Sequence, residues 1–206
     1  MQRPPIPAGI VSGRVVAIGR NLDPERALRI GEVLAHAGVP AFEVTLQGDG
    51  AYDAIRALRA GLDERLLIGA GTVLDVEGAA AAVDAGASFL VMPVTDVEVI
   101  GWAVTHGVPV FPGSLSPTEV LTAWRAGASA IKLFPASVGG AALLRELRGP
   151  FPDIPLMPTG GITADNARSL KEAGAVAVGV GSWLAGAPDE ATLRDRATAL
   201  IAAVRG

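Results

Sequence analysis

An α/β fold built from alternating strands and helices is predicted by three features of the sequence. Short apolar runs rich in β-branched residues alternate with alanine- and leucine-rich segments of helical periodicity. An Ala-Gly pair ends several helical segments just before the next strand, as in "DAGASFLVM" and "EAGAVAVGV", and glycine is common directly after a helix. The strands are apolar on both faces, which is typical of parallel strands covered by helices.

Eight strand–helix units follow one another along the chain. The strands are predicted at 15–18, 41–45, 66–69, 89–92, 108–111, 130–133, 155–158 and 176–180. The helices are predicted at 24–36, 52–60, 76–84, 97–105, 117–125, 140–148, 164–172 and 189–205. Asp23 and Ser116 each precede a proline, and these two residues and Thr163 are expected to cap helix N-termini.

Eight consecutive βα units predict a closed (β/α)8 TIM barrel. The 206 residues suit one domain, 1–206, in which residues 1–14 form a leading N-terminal segment. The alternative is a doubly wound open sheet. That architecture usually has fewer units and a glycine-rich fingerprint after its first strand, which "VVAIGRNLDPE" lacks.

Composition narrows the possible partners and chemistries. The net charge is −4 and no basic block is present, so neither nucleic acid nor a membrane is an expected partner. The absence of cysteine excludes disulfides, thiolate metal sites and cysteine nucleophiles. The sequence contains neither an HExxH motif nor paired histidines, so no metal site is predicted. The N-terminus lacks the long apolar region of a secretory signal peptide. A cytoplasmic protein without a bound metal is expected.

Lys132 lies inside the apolar run "SAIKLFPAS" and is one of only two lysines in the chain. Lysine is seldom buried unless it is paired or used in chemistry. An apolar environment lowers the pKa of the ammonium group, and the neutral amine can form a Schiff base with a carbonyl substrate. The alternative is a lysine that only pairs with a carboxylate.

Glu43 lies in "AFEVTL" at the end of the second strand. In a barrel the C-terminal strand ends meet at one mouth, so Glu43 and Lys132 are expected to lie near each other. A carboxylate beside a Schiff base can act as a general acid and base. The alternative is that Glu43 only forms an ion pair with Lys132 or Arg20.

Two glycine-containing segments, "PTGG" and "GVGS", follow the seventh and eighth strands. Glycines allow backbone N–H groups to approach an anion, and this end of a barrel commonly binds phosphate. Tight βα turns also need glycine and are the alternative. The polar residues expected at the mouth are Arg20, Glu43, Thr45, Thr72, Lys132, Thr159, Gly160, Gly161, Gly181 and Ser182.

Six ordered motifs resemble those of the 2-keto-3-deoxy-6-phosphogluconate (KDPG) aldolases, class I aldolases that include the 4-hydroxy-2-oxoglutarate (KHG) aldolases. The motifs are "FEVTL", "IGAGTVLD", "FPGSLSPTE", "IKLFPAS", "PTGGI" and "VGVGS". The resemblance implies a (β/α)8 barrel, a homotrimer, and catalysis without metal or organic cofactor. It also implies a 2-keto acid and a phosphorylated aldehyde as the small-molecule partners.

The resemblance also implies residue roles. Lys132 matches the Schiff-base lysine and Glu43 the glutamate that transfers protons. Thr72 matches a threonine that helps to hold the keto-acid carboxylate, and Arg20 matches a basic residue at the end of the first strand. Phosphate-binding positions are matched by Gly160, Gly161 and Ser182. Further substrate contacts are expected at Thr45, Pro93, Thr159 and Gly181.

Two positions depart from the family pattern. Gln47 stands where many members have an arginine that contacts the substrate, and Val94 stands where glycine is common. KDPG is the expected substrate, and the galactonate epimer and 4-hydroxy-2-oxoglutarate are alternatives. A phosphate-binding isomerase or epimerase, or a non-catalytic assembly scaffold on the same barrel, are further alternatives.

Overall fold

The computed structural model describes residues 2–62 and 65–205. Its strands are β1 (Val15–Gly19), β2 (Ala41–Thr45), β3 (Leu67–Gly71), β4 (Leu90–Val91), β5 (Val110–Phe111), β6 (Gly113–Ser114), β7 (Ile131–Leu133), β8 (Leu156–Pro158) and β9 (Val178–Val180). Its first five helices are α1 (Ala8–Gly13), α2 (Pro24–His36), α3 (Ala51–Leu62), α4 (Val76–Asp84) and α5 (Val97–Thr105). The remaining helices are α6 (Pro117–Ala126), α7 (Gly140–Arg148), α8 (Ala164–Glu172), α9 (Ser182–Ala185) and α10 (Glu190–Arg205).

Local capping explains where the helices begin. The Asp23 side chain accepts a hydrogen bond from the Arg26 N–H (2.8 Å) at the start of α2. At α6, Ser116 and Glu119 form a reciprocal capping box, which satisfies N–H groups that have no partner inside the helix. The sequence-based prediction of these caps is confirmed.

All strand pairs are parallel, and they form two sheets. The larger sheet has the order β5-β4-β3-β2-β1-β9, and the smaller one has the order β6-β7-β8. Pro112 alone separates β5 from β6. At the other edge a parallel bridge pairs Thr159, just after β8, with Gly179 of β9. The predicted α/β class with parallel strands is therefore confirmed.

The predicted elements differ from the structure in the fifth strand and in the short helices. The single fifth strand at 108–111 is two short strands, β5 and β6, because Pro112 has no N–H to continue the ladder. Two short helices were not predicted, α1 in the leading segment and α9 directly after β9. Within the described residues, every helix is too short or too polar for a membrane span.

The strands carry different residues on their two faces. One face packs against the helices in the larger apolar core cluster. The opposite face forms a second cluster that includes Val16, Phe89, Phe111 and Met157, and Ile10 of α1 packs into it. Farther along the same strands, toward their C-terminal ends, this second face carries Glu43, Lys132 and other polar residues. The apolar cluster thus forms the floor beneath the candidate site.

Candidate active site

Lys132 is held in the middle of β7. It is aligned with Gly113 of β6 on one side and Met157 of β8 on the other. The side chain is buried, with 6% of its surface exposed, and Nζ lies 4.9 Å from the centroid of the Phe134 ring. Burial lowers the pKa of the Lys132 ammonium group; the Glu43 carboxylate opposes this shift and Arg20 adds to it. The amine is thus easier to deprotonate than an ordinary lysine.

Glu43 is held on β2, aligned with Ile18 of β1 and Gly69 of β3. Burial raises the pKa of its carboxyl group to about 7, although the charges of Lys132 and Arg20 act in the opposite direction. Within the described chain, Glu43 Oε2 has no hydrogen-bond partner. A carboxyl group with a pKa near neutrality can both accept and donate a proton at physiological pH.

The room for the Glu43 carboxylate is provided by a glycine on the neighbouring strand. A Cβ atom on Gly71 would lie 2.7 Å from Glu43 Oε1, closer than van der Waals contact permits. Gly71 is aligned with Thr45, which is buried on the same face as Glu43 and two residues nearer the mouth. Thr45 Oγ1 also has no hydrogen-bond partner among the described residues.

Thr72 and Pro93 follow β3 and β4 at the same end of the sheet. Thr72 has a φ of +57°, and such left-handed backbone in a β-branched residue is a genuine outlier that often accompanies function. The Pro93 carbonyl packs so tightly against Gly113 that no Cβ fits there, and Gly113 is aligned with Lys132. The structure therefore brings Pro93 beside β6, the strand paired with that of Lys132, and Thr72 beside Thr45.

Six of the predicted residues line a single cavity of about 340 Å³. They are Arg20, Thr159, Gly160, Gly161, Gly181 and Ser182. Arg20 Nη1 lies 3.4 Å from Ser182 Oγ, and a Cβ on Gly181 would lie 2.9 Å from Arg20 Nη1. With Thr163, which also lines it, the cavity combines a guanidinium, three hydroxyl groups and glycine-rich backbone, which is a suitable set of donors for a phosphate.

Phe134 connects this cavity with the lysine. A Cβ on Gly160 would lie 3.4 Å from the Phe134 ring, and the same ring contacts the Lys132 ammonium group. The lysine, the phenylalanine and the glycine-rich loop are therefore neighbours. Phe134 was not predicted as a site residue, although its position two residues after Lys132 could have indicated it, because side chains alternate along a strand.

Two further residues, one lining this cavity and one behind its glycine-rich loop, were missed. Trp183 was not predicted as a site residue, but it lines the 340 Å³ cavity; its position directly after Ser182 was an available signal. Asn166 touches the glycine-rich loop from α8, and nothing in the sequence distinguishes it from a surface residue. Gln47 is exposed in the loop after β2. Within 2–62 and 65–205, no three histidine, cysteine, aspartate or glutamate side chains cluster as a possible metal site.

Comparison with known proteins identifies the family. The family described as "KDPG and KHG aldolase" matches residues 6–200. The chain belongs to the KDPG/KHG aldolase family. Its relatives are aldolases, so the protein is a carbon–carbon lyase, and the resemblance drawn from the six motifs is confirmed.

Relatives within the KDPG/KHG aldolase family are named for different substrates. The 2-dehydro-3-deoxy-phosphogluconate aldolase of Pseudomonas aeruginosa is 43% identical over 174 residues, which cover 82% of this chain and 76% of that protein. The 2-dehydro-3-deoxy-6-phosphogalactonate aldolase of Escherichia coli K12 is 36% identical over 194 residues, 93% of this chain and 94% of the relative. Family membership therefore leaves the choice between the two sugar acids open.

A solved structure of the family shows a covalent intermediate. The KDPG aldolase of Legionella pneumophila, with pyruvate captured at low pH as a covalent carbinolamine, aligns with a TM-score of 0.79. It is 30% identical, and the alignment covers 96% of this chain and 95% of that chain. A carbinolamine is the adduct that precedes a Schiff base.

Proposed function

We propose that the protein is a class I aldolase that cleaves KDPG to pyruvate and glyceraldehyde 3-phosphate. The observation that carries the proposal is the pair of buried groups Lys132 and Glu43. Burial lowers the pKa of the lysine and raises that of the glutamate to about 7. A site that needs both a nucleophilic amine and a proton carrier benefits from both shifts.

In the first half of the reaction, Lys132 acts as the nucleophile. Its neutral amine adds to the C2 carbonyl of the keto acid to give a carbinolamine, which loses water to form the iminium ion. The iminium withdraws electrons from the adjacent carbon atoms. The Phe134 ring beside Nζ stabilises the positive charge through its π-face.

Glu43 then moves the protons. As a carboxylate it accepts the proton of the C4 hydroxyl group, directly or through one water molecule. The C3–C4 bond breaks, its electron pair passes into the iminium to give an enamine, and C4 leaves as the aldehyde. Glu43 returns the proton to C3, and water hydrolyses the resulting iminium to release pyruvate and the free Lys132 amine.

Two groups of residues, one at each end of the site, would bind the two charged ends of the substrate and so orient it. We assign the phosphate to the cavity lined by Arg20, Ser182 and the glycine-rich loops. The keto-acid carboxylate is assigned to the neighbourhood of Thr45, Thr72 and Pro93. Fixing both ends places the C2 carbonyl at Lys132 and lowers the entropic part of the barrier.

We also propose that the strands close into one (β/α)8 barrel that forms a single domain. Two observations support closure. Only Pro112 separates β5 at the end of one sheet from β6 at the start of the other, and the Thr159–Gly179 bridge joins the remaining two edges. A homotrimer is proposed as well, and a cytoplasmic location stays a prediction.

The covalent chemistry can be tested by borohydride reduction in the presence of pyruvate, followed by mass spectrometry. We expect wild type to gain the mass of one reduced pyruvate on Lys132 and the Lys132→Ala variant to gain none. Lys171→Ala is the matched control, since Lys171 is the only other lysine in the chain, and it should label fully. Absence of the adduct from folded wild type would refute the Schiff-base mechanism.

A second candidate function is cleavage of the galactonate epimer. It is favoured by the Escherichia coli relative of that name, which aligns over 93% of this chain, and by Gln47, which lacks the charge of an arginine. Cleavage of 4-hydroxy-2-oxoglutarate remains a third option. We expect the highest kcat/KM with KDPG; a higher value with either alternative substrate would reassign the enzyme.

A further inference from the structure

The loop that follows β8 is bent by two consecutive glycines. Gly160 and Gly161 have φ values of +100° and +72°, in the region that favours glycine. The loop forms a wall between two cavities. The 340 Å³ cavity assigned to the phosphate lies on one side, and a cavity of about 280 Å³ lined by Ser137, Asn166 and Ser169 lies on the other.

Hydrogen bonds of Thr159 hold the first end of this loop, but among the described residues the N–H groups at its centre have no such bonds. Thr159 N–H donates to the Leu133 carbonyl (2.9 Å), and Ala136 N–H donates to the Thr159 carbonyl (2.8 Å). In the described part of the chain, no hydrogen bond engages the N–H groups of residues 160–162. Glycine backbone is costly to order, so the orientation of these donors needs a further support.

Asn166 supplies that support from the first turn of α8. Its Nδ2 donates to the Gly161 carbonyl (2.8 Å), and its Oδ1 accepts from the Thr163 N–H (3.0 Å). One side chain therefore fixes the peptide groups on both sides of Ile162. Asn166 lines the outer cavity and is absent from the lining of the phosphate cavity.

The geometry of the peptide group links the Asn166 hydrogen bond on one side of the loop to the direction of an N–H group on the other side. In a trans peptide the carbonyl and the following N–H point in opposite directions. Because the Gly161 carbonyl is held toward Asn166 on the outer side, the Ile162 N–H of the same peptide group points toward the opposite side. Ile162 lines both cavities, and this peptide geometry directs its N–H toward the one assigned to the phosphate.

We propose that Asn166 is a positioning residue that aims the Ile162 N–H, and with it the Gly160–Gly161 backbone, at the phosphate of the substrate. Asn166 itself does not touch the substrate. The inference rests on the proposed function only for the identity of the phosphorylated ligand. The orientation of the loop by Asn166 can be measured with inorganic phosphate alone.

The test compares wild type with Asn166→Ala, which removes both hydrogen bonds, and Asn166→Asp, which keeps the acceptor for Thr163 but loses the donor to Gly161. We expect either variant to raise KM for KDPG about tenfold, the loss typical of one oriented hydrogen bond to a charged group. Neither kcat nor the kcat/KM for unphosphorylated 4-hydroxy-2-oxoglutarate should change. Titration calorimetry should show a similar loss of affinity for inorganic phosphate.

Ser116→Ala is the matched control, because it removes the N-cap of α6 and does not touch the loop. It should lower the melting temperature and leave KM and phosphate affinity unchanged. Equal losses with both substrates, or unchanged phosphate affinity in both Asn166 variants, would overturn the inference. Failure of the aldolase proposal is distinguishable, since it would appear as a wild type without a Lys132–pyruvate adduct.

Discussion

Two ionisable side chains are buried together in this protein, and their pKa values move toward each other. Lys132 and Glu43 lie on β7 and β2, and each lowers the cost of the charge on the other. Burial nevertheless dominates both shifts. The neutral forms are therefore more populated at neutral pH than in water, and this would give the proposed reaction its amine and its proton carrier.

The pH dependence of activity follows from the Glu43 shift. Burial raises the pKa of this carboxyl group from 4.5 to about 7, so it is protonated below that value and cannot accept the C4 hydroxyl proton. We expect kcat/KM to rise through about pH 7, and Glu43→Gln to abolish this limb and lower kcat by about 10²–10⁴-fold. The measurement is a pH–rate profile of both proteins. A limb that survives in Glu43→Gln would assign the titration to another group.

At the scale of elements, the lack of a side chain on the neighbouring strand determines where the Glu43 carboxylate can lie. β2 and β3 are paired in register, and Gly71 of β3 leaves the space that Glu43 occupies. The loops that follow β1, β8 and β9 supply the phosphate cavity. In the proposed reaction the catalytic pair is thus carried by strands, whereas the groups assigned to the phosphate are carried by loops, as in other βα architectures.

Gly71→Ala tests whether the Glu43 carboxylate needs the space that this glycine leaves. The new Cβ would lie 2.7 Å from Glu43 Oε1 and 2.9 Å from its Cδ, so the carboxylate must move, and we expect kcat to fall on the order of 10²-fold. Gly101→Ala on α5 is the control, since its Cβ meets nothing within 4 Å. It should raise the free energy of unfolding by about 0.5–1 kcal/mol without changing kcat. Equal activity of the two variants would contradict the assignment.

At the scale of the whole molecule, exposed apolar side chains gather at one end of the strands. Leu74, Val94 and Val97 are 56%, 50% and 52% exposed and follow the neighbouring strands β3 and β4. Exposed apolar side chains that group on a surface commonly mark a protein–protein interface. This surface supports the proposed homotrimer.

The double variant Leu74→Glu, Val97→Glu tests that proposal. Light scattering after size exclusion should give the mass of three chains for wild type and of one chain for the variant, because buried unpaired carboxylates oppose association. Val11→Glu, at the opposite end on α1 and 43% exposed, should keep the wild-type mass. A single-chain mass for wild type would reject the trimer.

The order of helices and strands could be predicted from the sequence because it depends on interactions between residues close together in the chain. Asp23 and Ser116 cap helices, and Gly127, with a φ of +109°, ends α6; each acts within a few residues of itself. The break at Pro112 and the helix α1 were missed. The first is a single-residue interruption within an apolar run, and the second is a short helix whose residue Ile10 is buried only through a tertiary contact.

The sequence by itself was sufficient to predict Lys132, Glu43 and the glycine-rich loops as site residues and to indicate the family. Both predictions depend only on residue type and on the order and spacing of motifs. Only the tertiary structure decided that burial raises the pKa of Glu43, that Gly71 makes room for it, and that Phe134 lies between the lysine and Gly160. It also placed Asn166 between the Gly161 carbonyl and the Thr163 N–H. These properties depend on distances between residues far apart in the chain, and such distances are fixed only when the strands pack side by side.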